Sequence, residues 1–375
     1  MQGIRSLRNR IAIFVAIIQS ILFLGHWFVY ETWIHFWGAL QGAPSTIVPV
    51  IVALLSISFV CASLLAFRSY NPAVRVFYKI ASVWLGMLNF FFVAACSCWI
   101  AYGLVRLVHL RVSRPAIAVT FFALAILVSI YGVINAASIR VKRITVKLRG
   151  LPASWRGRVA ALVSDAHLGH VRGAGFITRV VSKLRESGAE IVFICGDLFD
   201  GTKADLNLLA APWKKLSPRL GSYYVTGNHE EFTDPAKYLD AVSHSGIRVL
   251  KSEKVIVDGL QIVGVHYHDS TDPRHFRATL QNINADRTRA SILLTHVPQS
   301  LQIAESEGIS LQLSGHTHRG QIFPFTWFTS RIFGEFTYGL HRFGGLSVYT
   351  SSGVGTWGPP LRVGTFPEIV LIQFE

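Results

Sequence analysis

The chain has 375 residues, 51% of them hydrophobic and only 15% charged, with a formal net charge of +15. An apolar share of that size excludes an ordinary soluble domain. Residues 1–150 hold fourteen Lys and Arg against Glu31 alone, a net +13, whereas residues 151–375 carry +2; the excess therefore marks a membrane-like half with a positive-inside bias rather than a nucleic-acid-binding surface.

Four apolar runs fill residues 1–140, at about 11–30, 46–67, 80–105 and 115–138. Each reaches the ~20 residues that cross a hydrocarbon core. Arg5, Arg8 and Arg10 precede the first run, as in a signal peptide. The run is long, however, lacks a small-residue cleavage site and is followed by three more spans, so a membrane anchor is expected. Four spans place both termini on one side. The first loop, 31–45, has no Lys or Arg, whereas Arg140, Lys142, Arg143, Lys147 and Arg149 follow the fourth span. Both features favour a cytoplasmic C-terminal half, while Arg106, Arg111 and Arg114 in the third loop run against the pattern.

His26, Trp27, Tyr30, Trp33, His35 and Trp37 end the first span. They could serve a haem or a quinone, but an interfacial aromatic belt explains them without a ligand. Asn89 and Asn135 are expected to bond neighbouring helices, and with no intramembrane Asp, Glu or Lys beside them no transport path is legible. The four cysteines, Cys61, Cys96, Cys98 and Cys195, have neither disulfide-framework nor zinc-knuckle spacing. Residues 140–149 alternate apolar and basic, which suits an edge strand, a segment lying on anionic lipid, or both.

From Arg158 the pattern becomes short apolar strands separated by turns and helical stretches. Strands are expected at 159–163, 191–194, 223–226, around 249, 255 and 262, and at 291–294, 311–313, 346–350 and 369–374. Helices are expected at 176–186, 204–216 and 235–243. Strands alternate with helices early and dominate late, which predicts a mixed α/β sandwich. Five strands end in polar clusters: Asp165 and His167; Asp197; Asn228 and His229; His296; His316 and His318. In open α/β sheets such ends converge on one crevice. Carboxylate, imidazole and amide without thiolate suit Zn, Fe or Mn. The donors are too many for one tetrahedral ion and fit two ions clamping a phosphoryl group.

Asp165-Ala-His167, Gly196-Asp197, Gly227-Asn228-His229-Glu230, His296 and Gly315-His316-Thr-His318 resemble, in order and spacing, the five blocks of the calcineurin-like metallophosphoesterases. The resemblance covers residues 141–375. It implies an αββα sandwich, preceded here by a four-helix transmembrane region, and a centre of two divalent ions (Mn, Fe or Zn). Asp165, His167 and His318 are then expected to bind one ion and Asn228, His296 and His316 the other. Asp197 bridges the two, and a bridging hydroxide attacks phosphorus in line. His229 is expected over the phosphate as a catalytic group, not a ligand, with Glu230 capping its helix or orienting it. His170 and Arg319 adjoin the blocks and are expected to touch substrate. His244, His266, His268, His275 and His341 are expected to be ordinary surface or core residues.

Gly-His-Thr-His-x-Gly-Gln, continuing as Gly320-Gln321-Ile322-Phe323-Pro324, is similar to bacterial membrane-associated members, among them UDP-2,3-diacylglucosamine pyrophosphatases. This implies an inner-membrane hydrolase of phosphoester or pyrophosphate bonds on a lipid or nucleotide-lipid, with the bilayer as partner and no nucleic acid. Residues 322–338 are rich in aromatics of weak period, consistent with a membrane-dipping lip. The competing readings are a general phosphodiesterase on small soluble substrates and a non-catalytic membrane sensor of a phospholigand. The filled ligand positions favour catalysis.

Overall fold

The computed structural model describes residues 2–38, 46–232 and 234–375, the first ten as backbone only. Pro44 and the side chains of Arg5, Arg8 and Arg10 lie outside the described residues. The chain divides into two compact units, Met1–Val133 with Pro359–Leu361, and Ile134–Gly358 with Arg362–Glu375.

The first unit is built from long helices, α1 (Gln2–Trp37), α2 (Ile47–Arg68), α3 (Pro72–Leu107) and most of α4 (Arg114–Ala137). All four are long and apolar enough to cross a membrane. Helix α3 begins eight residues earlier than the apolar run suggests. The Asn71 side chain accepts the Val74 N–H (3.0 Å) and Pro72 occupies the first helical position, a start signal independent of hydrophobicity. Helix contacts bury small residues such as Ala62, Ala66, Ala81, Ala94 and Ala95, while Phe14, Leu54, Ile100 and Leu127 are exposed, as expected where lipid is the solvent. His26 is not available to a haem iron. Its Nδ1 is 2.7 Å from the Leu22 carbonyl and its Nε2 accepts from Trp84 Nε1 at 2.8 Å.

The second unit holds two six-stranded sheets. The strands are β1 (Arg140–Val146), β2 (Val159–Val163), β3 (Ile191–Cys195), β4 (Ser222–Val225), β5 (Arg248–Val249), β6 (Glu253–Val257), β7 (Leu260–Gly264), β8 (Ser291–Leu294), β9 (Leu311–Ser314), β10 (Gly339–Phe343), β11 (Leu346–Thr350) and β12 (Glu368–Phe374). One sheet runs β1-β12-β2-β3-β4-β5 and the other β10-β11-β9-β8-β7-β6. Within them β2 to β5 are mutually parallel, as are β11, β9, β8 and β7. The basic alternating segment is an edge strand: β1 pairs with β12 alone, in parallel.

Period-two alternation builds the layers. On β2 and β3, Ala160, Leu162, Ile191, Phe193 and Cys195 join Ile262, Ile292, Leu294, Leu311 and Leu313 in the core between the sheets. Ala161, Val163, Val192 and Ile194 face outward onto Phe176, Ile177 and Val180 of α5 (Ala174–Glu186). Strands buried on both faces read as continuous apolar runs, which is why they are plain in the sequence. Helices α6 (Leu206–Ala210) and α8 (Ala236–His244) lie over the same sheet, and α7 is the single turn Asn228–Glu231. The expected helix 204–216 is shorter than predicted: Asp205 caps α6 and the chain passes into a 3-10 turn, Ala211–Lys215, at Pro212, which lacks the N–H a continuing helix needs.

Over the second sheet lie α10 (Pro273–Ile283) and α11 (Leu301–Ser306), contributing Phe276, Leu280, Leu301 and Ala304 to a third core with Val263, Leu293 and Val348. The architecture is thus αββα. Helices α9 (Tyr267–Thr271), α10, α11 and α12 (Phe325–Phe333) and strand β10 were not legible. Helix α12 has no buried residue, and its nine residues are fewer than the window over which helical periodicity can be read.

Phe193 sits at the middle of β3 with no exposure. Phe193→Ala is expected to cost ~3–5 kcal/mol through lost burial and a cavity, measured by denaturant unfolding followed by tryptophan fluorescence in detergent.

Candidate metal centre

The parallel strands bring their carboxyl ends to one edge, and the chain leaves β2, β3 and β9 through unusual backbone. Asp165, His167, Asp197, His316 and His318 all have φ between 47° and 70°, where a non-glycine residue is uncommon and costs of order 1–3 kcal/mol. Neighbouring glycines make room. A Cβ on Gly227 would lie 2.1 Å from Asp197 Oδ1, and one on Gly315 would lie 2.2 Å from Asp165 Oδ2.

Three groups of ligating atoms result: Asp165, His167 and His318; His167, Asp197 and His229; Asp197, His296 and His316. His167 Nε2 and His318 Nε2 are 3.0 Å apart, and His318 Nε2 is 3.4 Å from Asp165 Oδ1. At the other end His296 Nε2 is 3.2 Å from Asp197 Oδ2, and His316 Nδ1 lies 3.2 Å from His296 Nε2 and 3.1 Å from Asn228 Oδ1. Asp197 belongs to both ends, with Oδ2 3.7 Å from His167 Nε2. His229 Nδ1 is 3.0 Å from the Asp200 carbonyl, which as an acceptor fixes the proton there and leaves Nε2 facing Asp197 Oδ2 at 4.0 Å. His296 is fixed the same way by the Cys195 carbonyl, 2.9 Å from its Nδ1.

Burial holds His167 and His318 well below the ordinary imidazole range, and burial together with His296 brings His316 to about 4. These rings are neutral at physiological pH, the form that offers a lone pair to a cation. Burial alone would raise Asp197, yet the imidazoles around it, His296 foremost, hold it well below the usual carboxylate range. Packed nitrogen lone pairs and carboxylates repel one another unless positive charge lies between them. The donor set of imidazole, carboxylate and amide fits a divalent cation at either end.

Further residues complete the centre, Asp200 among them without a role expected from the sequence. Glu230 is fully buried, and its carboxylate accepts the N–H groups of Asp197 (3.1 Å), Gly227 (2.8 Å) and Phe199 (2.9 Å). It therefore caps α7 and clamps the turn after β3, rather than orienting His229. Asp200 places Oδ1 3.8 Å from His167 Nδ1, an atom with no hydrogen-bond partner; metal-binding histidines commonly turn their second nitrogen to such a carboxylate. The signal for Asp200 was its position three residues after Asp197. His170 is fully buried, with Nδ1 3.2 Å from Thr202 Oγ1, so it presents no surface to an incoming substrate. Arg319 is half-buried and stacks its guanidinium on Tyr338 at 4.5 Å.

Aromatic side chains ring the centre. Phe232 and Trp357 are 64% and 60% exposed, with rings 4.8 and 6.3 Å from that of His229, and Phe333 of α12 is 6.2 Å from His316. Gln321 fixes Trp357 from both sides: its Nε2 donates to the Trp357 carbonyl (3.0 Å) and its Oε1 accepts the Trp357 N–H (2.9 Å).

Residues 159–320 match the sequence profile described as "Calcineurin-like phosphoesterase". The chain is 30% identical, over all of its length and 91% of the other's, to a Danio rerio protein named "Transmembrane protein with metallophosphoesterase domain". It is 31% identical to an uncharacterized metallophosphoesterase of Campylobacter jejuni, over 66% of each chain. It is 32% identical to one of Aquifex aeolicus, in an alignment that takes in 67% of this chain and 98% of that one. The chain belongs to the calcineurin-like metallophosphoesterases. It is a membrane-associated, metal-dependent phosphoesterase, and its His/Asp clusters are able to hold the divalent metal the family uses.

Gly315→Ala is expected to displace Asp165 and reduce bound metal at one end only, whereas Asp197→Ala should reduce it at both. Metal content per chain after dialysis against Mn(II), measured by plasma emission, separates the two outcomes.

Proposed function

We propose that the protein hydrolyses a phosphoester or pyrophosphate bond of a lipid-linked substrate at a centre of two divalent ions, with its catalytic domain on the cytoplasmic face of a bacterial inner membrane. Asp165, His167 and His318 would hold one ion and Asn228, His296 and His316 the other, with Asp197 shared between the two groups. The ions supply Lewis acidity toward the phosphoryl oxygens and lower the pKa of water at neutral pH. The chain's own residues do the rest. The His229 main-chain N–H fixes Asp197 Oδ1 at 3.0 Å. The His229 ring, its Nδ1–H held by the Asp200 carbonyl, turns Nε2 toward the centre; in the doubly protonated form Nε2–H would donate to the departing oxygen and pass it the proton, leaving the neutral ring.

The observation that carries the lipid reading is the set of aromatics around His229 and His316, two of them exposed and Phe333 half-buried. Phe232, Trp357 and Phe333 touch those rings, and α12 extends the apolar surface with Trp327, 54% exposed, and Ile332, 75% exposed. Large apolar side chains around a hydrolytic centre fit an acyl-bearing substrate better than a fully hydrated one. Arg331 over the Trp327 ring (4.9 Å) places a cation beside them, suited to anionic headgroups.

His229→Ala is expected to lower kcat by about 10²–10⁴ with two ions retained; loss of the ions, or undiminished turnover, would remove His229 from this role. Serine at Trp327 and Phe328 is expected to leave hydrolysis of bis-p-nitrophenyl phosphate within about twofold and to raise KM for UDP-2,3-diacylglucosamine, read as UMP release, by roughly tenfold or more. Equal losses on both substrates would argue against the lip, and no UMP from the unaltered enzyme would leave a phosphodiesterase of small soluble substrates.

A further inference from the structure

Asn135 was expected to bond another helix of the membrane region. Instead it occupies the last turn of α4, and that turn belongs to the second unit. Both hydrogens of its buried amide nitrogen are used, on the carbonyls of Arg362 (2.9 Å) and Thr365 (2.8 Å), and its oxygen accepts from Arg140 Nη2 at 3.1 Å. The next residue is held as well: Arg172 Nη2 donates to the Ala136 carbonyl at 2.9 Å. A polar amide in an apolar helix is costly unless bonded, and these bonds go to one loop of the hydrolase.

That loop is organised by Arg362, which has no exposure and no carboxylate paired with it among the described residues. Its Nη2 donates to the carbonyls of Ser352 (2.7 Å) and Gly355 (2.7 Å), and its Nη1 reaches Thr365 Oγ1 (3.2 Å) and the His318 carbonyl (3.4 Å). Nη2 also lies 3.3 Å from His318 Nδ1. The far side of the same loop is stitched to the end of β2, Val354 N–H to the Ser164 carbonyl and Gly355 N–H to the Asp165 carbonyl, both 2.9 Å. Arg362 therefore ties together the two segments that carry Asp165 and His318, while Asn135 holds the backbone of Arg362 itself. None of these contacts reaches His296 or Asn228, and His316 meets this half through its N–H, which donates to the Asp165 carboxylate at 3.0 Å.

We infer that Asn135, acting through Arg362, is a positioning residue for the Asp165–His167–His318 half of the metal centre. Only an amide can both donate twice to carbonyls and accept from Arg140; Asp would set an acceptor against two acceptors, and Leu would leave both carbonyls unpaired. The inference rests on the two-ion reading proposed above. It adds that one half-site depends on the last turn of α4 and the other does not.

The test is Mn(II) binding to the full-length protein in detergent, by equilibrium dialysis with electron paramagnetic resonance to distinguish coupled from single ions. In Asn135→Ala, one ion is expected to bind about tenfold or more weaker, the usual effect of losing an outer partner of a ligand, with the other unchanged. Arg362→Lys should show the same selectivity, and it carries the test if Asn135→Ala fails to fold. The double variant Asn135→Ala/His318→Ala should bind no worse than His318→Ala alone. Wild-type affinities for both ions in both single variants overturn the inference, as does equal weakening of both ions, which marks a merely structural role. An unaltered protein that binds no Mn(II) overturns the two-ion reading itself, a distinct failure.

Discussion

The centre depends on holding a carboxylate, Asp197, at a fixed point between two groups of imidazoles. Its backbone sits at φ 50°, its N–H is taken by Glu230 and its Oδ1 by the His229 N–H. Each contact comes from the Gly227–Glu230 turn after β4, the strand beside β3 in register. Adjacent parallel strands end at the same level, so the turn after one can clamp the residue after the other. The approach is possible because Gly227 has no Cβ to collide with Asp197. Lateral strand order thus fixes where Asp197 stands, and the buried Glu230 carboxylate is the joint between the two turns.

The two ends of the centre are built differently. The His296–His316–Asn228 end draws on β8, β9 and α7 and is oriented by a main-chain carbonyl, that of Cys195 on His296. The Asp165–His167–His318 end is bounded by the returning loop before β12, whose internal order comes from a buried guanidinium. A cation surrounded by carbonyls instead of carboxylates is well hydrogen-bonded but not neutralised. Its hydrogen bonds to the Ser352 and Gly355 carbonyls fix the loop around it.

The strands and the donor set were legible because each rests on local, high-contrast signals. Doubly buried strands are unbroken apolar runs, and Asp, His and Asn after five such runs stand out against them. What the sequence did not disclose was relational. Glu230 as a clamp and Asp200 beside His167 depend on which turns abut. Arg362 was indistinguishable from any surface arginine, since burial of its charge follows only from the loop that encloses it. Asn135 was visible as a polar residue in an apolar run, but its partners lie 227 and 230 residues away. Helix α12 escaped because its nine residues are fewer than the window over which hydrophobic periodicity can be read, and none of its side chains is buried.

That same absence of a buried stripe is the informative property of α12. A nine-residue helix that buries none of its apolar side chains gains little from the hydrophobic effect in water, and helices this short are not stable on propensity alone. Its ends are tied by other means: the Phe325 N–H donates to the Ile322 carbonyl, and the Thr337 hydroxyl donates to the Gly334 carbonyl. Thr317, next to His318, reaches the same segment, its hydroxyl donating to the Thr337 carbonyl at 2.7 Å. A surface helix fastened to a ligand-bearing turn, with Trp327 and Ile332 left uncovered, recovers its burial only when an apolar phase or an acyl chain meets it.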